Sequence, residues 1–219
     1  MATYEGLRLK ILKVKRLAFA ELRKKELVND SFTIISNNCW GGMLYESYNL
    51  PKQSPTVGLY FMASDYIKFV ADLRKYLQMN LTFIDPDDSK WKDSDQIKND
   101  SKFGEYPIGK LGDVEIFFLH YKSEKEAAEK WARRVKRINW DRMLIKFNDQ
   151  NGCTKKDLED FLNLPYRNKV FFTSKDWPGI LDDKVIRISQ FPKHDFIMAS
   201  YEPFGRNKYI NITKMLNEL

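Results

Sequence analysis

The sequence predicts an α/β fold: a mostly parallel sheet flanked by helices, preceded by an amphipathic helix at the N-terminus. Three observations predict it. Short β-branched and aromatic runs alternate with longer segments of three–four apolar spacing, the pattern of strand–helix units. Several of those runs stop at clusters of small polar residues and glycine, as strands do where they open into loops. The chain also has the material for a full core, with 219 residues, 43% hydrophobic and 14% aromatic.

Residues 4–27 read as a helix. Leu7, Ile11, Val14, Ala18 and Leu22 recur at helical spacing, while Lys10, Lys13, Lys24 and Lys25 lie off that line. Asn29-Asp30-Ser31 ends the pattern. This sets a basic N-terminal helix, 1–28, ahead of a single α/β domain, 29–219. Such a helix either rests on an anionic lipid surface or packs on the domain or a second subunit. Residues 32–35 form a buried strand that halts at Ser36-Asn37-Asn38-Cys39-Trp40-Gly41-Gly42. A helix-prone piece at 43–49 and an apolar run at 56–61 follow. Ser64 caps a helix through 79, with Tyr66, Phe69, Val70, Leu73 and Leu77 on one face. Residues 81–84 are a short strand. The stretch 85–105 is polar and irregular, and reads as a mobile loop over the site or as a plain surface insertion.

The second half continues the alternation. A strand at 114–119 ends at His120. Ser123 and Glu126 form a capping box for a helix to about residue 140, burying Ala127, Ala128, Trp131, Val135 and Ile138. A strand at 143–147 ends at Asn148-Asp149, and Thr154 caps a helix through 162. A strand at 169–172 ends at Thr173-Ser174-Lys175. A strand at 185–188 and a helix at 212–219 complete the chain.

Composition bounds the function. There are 37 basic and 30 acidic residues, a net charge of +7 that suits an anionic ligand or membrane surface. No apolar run reaches membrane-span length, and Arg8, Lys10, Lys13, Lys15 and Arg16 break up any signal-peptide core. With two cysteines and no export signal, a reducing cytoplasm is expected. Cys39, Cys153, His120 and His194 lack CxxC or HExxH spacing, so no metal site is assigned. Asp85-Pro86-Asp87 and Asp93-Ser94-Asp95 are too short a pattern to assign one either. Phosphate-loop, dinucleotide and nucleophile-elbow signatures are absent, and no cofactor is assigned. The basic residues are interspersed with acids and follow no nucleic-acid-binding motif, so no nucleic-acid partner is expected.

Several reactive groups fall at strand ends: Cys39, His120, Asn148 with Asp149, and Ser174 with Lys175. In parallel strands all of them face one edge of the sheet, where α/β proteins bind ligands. A Cys39–His120 pair oriented by Asp149 is a workable nucleophilic device, the imidazole taking the thiol proton. Otherwise Cys39 is packing and His120 a general base. Ser36, Asn37 and Asn38 are expected to hydrogen-bond sugar or phosphate oxygens. Gly41 and Gly42 are expected to let backbone approach the ligand, with Ser174 and Lys175 adding contacts. Arg134 lies at the edge of a buried helical stripe and must be paired, to a carboxylate or to a ligand phosphate.

These segments also resemble a known family. The likeness rests on FTIISNNCWGG, Pro55–Leu59 (PTVGL), Asp65–Phe69 (DYIKF), Tyr106-Pro107-Ile108-Gly109, Phe118-Leu119-His120-Tyr121, and Trp131 with Arg134, Arg137, Ile138 and Asn139. Together they resemble an uncharacterised bacterial family, a domain of unknown function labelled exopolysaccharide biosynthesis, over about residues 30–175. The resemblance implies an α/β fold and association with capsule or exopolysaccharide production, and supplies no catalytic residues. The resulting expectation is a cytoplasmic transferase acting on an anionic small molecule, such as a nucleotide-linked or lipid-diphosphate sugar. The alternatives are a non-catalytic binding or scaffold subunit, docked on the inner face of the membrane through residues 4–27, and a cysteine-dependent hydrolase or acyltransferase.

Overall fold

A computed structural model describes residues 4–189 and 195–219. Among these, the strands are β1 (Thr33–Ser36), β2 (Thr82–Ile84), β3 (Ile108–Leu111), β4 (Val114–Phe117), β5 (Met143–Asn148), β6 (Lys169–Thr173) and β7 (Val185–Arg187). The α-helices are α1 (Tyr4–Ala18), α2 (Ala20–Lys25), α3 (Trp40–Ser47), α4 (Ala63–Ala71), α5 (Leu73–Gln78), α6 (Asp95–Lys98), α7 (Glu124–Val135), α8 (Lys155–Asn163) and α9 (Ile212–Asn217). The fold is the expected α/β class. Four parallel strands lie in the order β1-β5-β6-β7, and a small antiparallel sheet runs β2-β3-β4.

Strands β1, β5 and β6 are buried on both faces, which explains their nearly unbroken apolar sequences. Ile35, Ile145, Phe147 and Phe171 pack against Phe69 and Val70 of α4, Trp131 of α7, and Leu158 and Phe161 of α8. The opposite face, with Ile34, Leu144, Val170 and Phe172, packs on Trp40 and Leu44 of α3 and on Ile212 and Leu216 of α9. The Tyr66 hydroxyl lies 3.0 and 2.8 Å from the carbonyls of Ile35 and Lys146, where it can donate to either. Thr154 and Asp157 form the full capping box that starts α8.

Four expectations are corrected. The helix expected at 64–79 starts one residue earlier, because the Ala63 N–H donates to the Asn151 carbonyl instead of relying on a Ser64 cap. It also breaks at Asp72 (φ −135°, ψ 54°), with Leu73, Tyr76 and Leu77 still buried beyond the break.

The stretch 85–105 is folded rather than loose. Asp85 caps a 3₁₀ turn, Ser94 caps α6, and Trp91, Ile97 and Phe103 join a small core with Met62, Tyr106 and Phe117. Ser89 donates to Glu115 at 2.7 Å and the Trp91 indole donates to Asp65 at 2.8 Å, pinning the segment to β4 and α4.

Strand β4 belongs to the antiparallel sheet, so His120 does not stand at the end of a parallel strand. It reaches the site because its N–H donates to the Gly58 carbonyl at 3.0 Å. Gly58 has φ +78°, and a side chain there would press on Tyr121 and His120.

The apolar stripe of the N-terminal helix faces solvent. Leu7, Ile11, Val14 and Leu22 are about half exposed or more. It is the other face, Leu9, Leu12 and buried Arg16, that meets the domain. Arg23 then locks the helix pair down, donating to the carbonyls of Arg16 at 2.7 Å and Ser47 at 2.9 Å. No described helix is long and apolar enough to cross a membrane.

Gly109 joins β3 to the core by close approach. A Cβ there would sit 2.6 Å from the Phe118 ring and 2.8 Å from Leu81. Gly109→Ala is therefore expected to cost about 1–3 kcal/mol through overpacking, measured as a lowered urea midpoint with unchanged m-value.

Candidate functional site

Helix α3 begins four residues after β1 ends and rests directly on it. Gly41 permits this, since a Cβ would lie 3.3 Å from the Ser36 side chain, and Gly42 is similarly tight against Val57 at 3.0 Å. Both glycines therefore serve the packing of α3. Gly42 also borders a cavity of about 530 Å³, and Gly41 does not.

That cavity is basic. Lys10, Lys13 and Arg16 of α1, Lys52, and Lys130 and Arg134 of α7 line it, against one carboxylate, Glu46. Glu46 is already engaged, 2.7 Å from Lys52 and 3.8 Å from Arg16. Arg134 is 7% exposed and has no carboxylate within ion-pair distance among the described residues. Its guanidinium donates to the Tyr121 hydroxyl at 2.5 Å and the Val57 carbonyl at 3.3 Å. The Tyr121 hydroxyl itself donates to Val57 at 2.5 Å. The expected choice between carboxylate and phosphate is thus met, within the chain, by neutral oxygens. Such partners fix the guanidinium but leave its charge uncompensated. Arg16 is also buried, its Nε without a partner, and burial lowers its basicity.

A second cavity, about 770 Å³, lies beyond the C-terminal ends of β1, β5 and β6. Asn38, Asp149, Gln150, Asn151 and Lys175 line it from the parallel sheet, and Tyr60, Gln96 and Asp100 from the opposite wall. Tyr60, Tyr106 and Asp100 form a hydrogen-bonded cluster, with the two hydroxyls 2.6 Å apart and Tyr106 donating to Asp100 at 2.7 Å. Cys39, Met43, His120 and Ser200 line both cavities.

The structure therefore brings Cys39 and His120 to one place, but not as a nucleophile–base pair. No hydrogen bond joins them, and burial pushes the Cys39 thiol up to about 12. Burial thus disfavours the thiolate that a cysteine mechanism needs. His120 is depressed below the usual imidazole value, first by desolvation and then by Lys102 and Lys52, so it is neutral at pH 7. Asp149 does not orient it. That carboxylate accepts from Thr173 Oγ1 at 2.6 Å, the Ser174 N–H at 2.9 Å and the Ile197 N–H at 2.7 Å, fastening β5 and β6 to the loop beyond them. Ser174 is buried. Lys175 reaches the second cavity, its ammonium 4.8 Å from the Trp177 ring centre. His194 lies outside the described residues.

Ser36 and Asn37, expected to bind ligand, are sealed in the interior by a feature the sequence reading missed. Lys146 in mid-β5 and Glu202 form an ion pair at 2.5 Å, both fully buried. Lys146 also donates to Asn38 at 2.9 Å and Asn37 at 3.3 Å. Asn37 donates to Asn148 at 2.7 Å, and Asn148 to Glu202 at 2.6 Å. Asn38 completes the ring through Glu202 at 3.3 Å and carries it to Gln150 at 2.8 Å, on the wall of the second cavity. Burial drives Lys146 down to about 8 and Glu202 up, each partly offset by the other. A lysine inside an otherwise apolar strand was the available signal for Lys146. Glu202 had none.

A sequence profile described as a domain of unknown function, DUF1919, matches residues 10–217. The chain belongs to the DUF1919 family. The match takes in α1 from Lys10 onward and extends through α9, well beyond the 30–175 span of the resemblance noted from the motifs. An uncharacterized protein of Haemophilus influenzae is 34% identical over 207 residues, covering 94% of this chain and 92% of that protein. Neither description names a reaction or substrate. In this DUF1919 chain both cavities and the buried charge network fall mainly within the matched span.

Removing one member of the buried pair strands the other. Glu202→Ala is expected to destabilise the fold by about 3–5 kcal/mol. The double change Lys146→Met/Glu202→Leu should recover much of that loss, since it removes both charges. Urea unfolding of the three proteins checks both expectations.

Proposed function

We propose that this protein binds a phosphorylated sugar, of the nucleotide-linked or lipid-diphosphate kind, across the two adjoining cavities. The observation that carries the reading is the charge contrast between them. One cavity gathers six cations with one carboxylate, Glu46, in its lining; Glu46 pairs with Lys52 and Arg16, and Lys130 pairs with Glu126, while Arg134 is buried with no carboxylate within ion-pair distance among the described residues. Anionic phosphate satisfies that arrangement. The other offers Asn38, Gln150, Asn151, Asp100 and Tyr60, the amide, carboxylate and aromatic groups that suit hydroxyl-rich ligands. A ligand spanning both would place its phosphate–sugar linkage beside His120 and Cys39.

The chemistry proposed for that linkage is group transfer with His120 as general base: an acceptor hydroxyl gives its proton to the imidazole as its oxygen bonds to the sugar carbon, and the phosphate leaves with the electrons of the bond that breaks. A neutral imidazole at neutral pH supports this role. Participation in capsule or exopolysaccharide assembly, inside the cell, is the setting that the motif resemblance suggests for such a substrate. One observation favours a binding role without turnover: among the described residues no side chain hydrogen-bonds to the His120 imidazole to orient its tautomer.

Thermal-shift titration separates the parts. A nucleotide sugar should raise Tm more than the same sugar without phosphate. Arg134→Met should weaken the nucleotide sugar about tenfold or more, the loss of a charge-assisted contact. Equal shifts with both ligands, or unchanged affinity in Arg134→Met, would overturn the reading.

His120→Ala should retain binding and lose turnover. If His120 is the base, turnover is sustained above its lowered pKa and falls as the imidazole protonates below it. The acid limb of the rate profile should therefore lie under the ordinary histidine value near 6.5. A pH–rate profile unchanged in His120→Ala would leave only the binding role.

A further inference from the structure

We propose that α1 is an interfacial anchor whose outward apolar stripe inserts among the headgroups of an anionic bilayer. The stripe is Leu7, Ile11, Val14 and Ala18, continued by Leu22 of α2. Leu7 is 55% exposed, Ile11 47%, Val14 65% and Leu22 57%. At 100° per residue the four α1 positions fall within about 60° of one another. Lys10 and Lys15, both exposed, lie about 70° to either side of the stripe's centre.

This face is not a remnant of packing on the domain. The helix already has a packing face on its far side, through Leu9, Leu12 and Arg16. A helix carrying one apolar face to the domain and a second to water leaves three large aliphatic side chains in line with nothing over them.

Charge selects the occupant. From Leu7 to Phe19 the sequence holds no acid, and of its five cations Lys10 and Lys15 flank the stripe, while Arg16 is buried on the packed face. Lysines flanking an apolar stripe can lay their stems along it while their ammonium groups reach lipid phosphates. Each cation near an anionic surface adds about 1 kcal/mol. A second copy stacked stripe on stripe would instead bring two sets of like charges together. Docking does not depend on what fills the cavities. It does add one consequence that rests on the phosphosugar reading. Since Lys10, Lys13 and Arg16 also line the basic cavity, that cavity would lie within about one helix diameter, roughly 10 Å, of the headgroups.

The test is co-sedimentation of the full chain with phosphatidylcholine vesicles, with and without 30% phosphatidylglycerol by composition, at about 0.1 M salt. Binding to the anionic vesicles is expected to exceed binding to the neutral ones by about tenfold or more, and to weaken in high salt. Ile11→Gln/Val14→Gln should lower it about tenfold or more. Lys15→Glu, a two-unit charge change, should lower it about 30-fold.

All three side chains are exposed, so circular dichroism and Tm should be unchanged, and thermal shift by a nucleotide sugar should survive in both variants. Loss of that ligand shift in the wild type would sink the cavity reading alone. No difference between the two vesicle types, or undiminished binding by both variants, overturns the anchor. So does a dimer in light scattering that Ile11→Gln/Val14→Gln dissolves, which would assign the stripe to a second copy.

Discussion

The site is organised by one buried charge pair. Lys146 lies on β5, the strand that joins β1 to β6, and its side chain is fully buried. An unpaired ammonium there would be untenable, and even a paired one needs its remaining protons satisfied. Glu202 supplies the counter-charge from a segment distant in sequence, while Asn37 and Asn38 accept the other bonds. That requirement draws the Ser36–Cys39 turn inward, bridges it to Asn148 and holds the segment around Glu202 over the strand ends. The Trp40 and Phe172 rings, 5.8 and 5.9 Å from the ammonium, close the pocket around it. The second cavity stands on this platform, its floor set by Asn38 and Gln150 where the network meets the surface.

The same requirement explains where reading the sequence succeeded and where it failed. The strands and helices were largely legible because their signals are local: TIIS, MLIKFN and KVFFT are apolar runs of strand length, and Ser123 and Thr154 are caps of recognisable spacing. Asn37 and Asn38 were equally visible, as polar residues after a strand, but their partners were not. A polar cluster at a strand end looks alike whether it faces a ligand or a buried lysine. Only the pairing of β5 beside β1, with Ser36 opposite Lys146, separates the two cases. His120 shows the converse. Its expected place on a parallel strand was wrong, yet Gly58 brings it to the cavity beside Cys39 by a backbone bond that no periodicity encodes.

The N-terminal helix illustrates a different limit. Three–four spacing finds an apolar face and cannot say what covers it. Here the face with the better spacing looks outward, while the face that packs includes an arginine, Arg16, whose stem is buried and whose charge meets the Phe204 ring at 5.4 Å and Glu46 at 3.8 Å. Long cationic side chains can cover apolar surface as aliphatic ones do, so a binary apolar–polar reading misassigns the packed side.

These constraints converge on the basic cavity. Its cations come from three separate elements, α1, the segment before Thr56, and α7, and each element has its own structural reason to be there. α7 is held by Trp131 and Ala127 in the core, and α1 by Leu9, Leu12 and the Arg23 bonds. None of those reasons requires six cations to line one cleft, where Glu46 is shared by Lys52 and Arg16 and Glu126 pairs with Lys130 alone. Like charges so gathered repel, and a fold with no use for them could scatter them over open surface at no cost to its core. Arg134 sharpens the point, because it is held within a buried setting by Tyr121 and Val57, which orient a guanidinium without neutralising it. On the proposed reading, an anion in the cavity would relieve both the mutual repulsion and the buried charge of Arg134, and that relief would contribute binding free energy for a phosphate-bearing ligand.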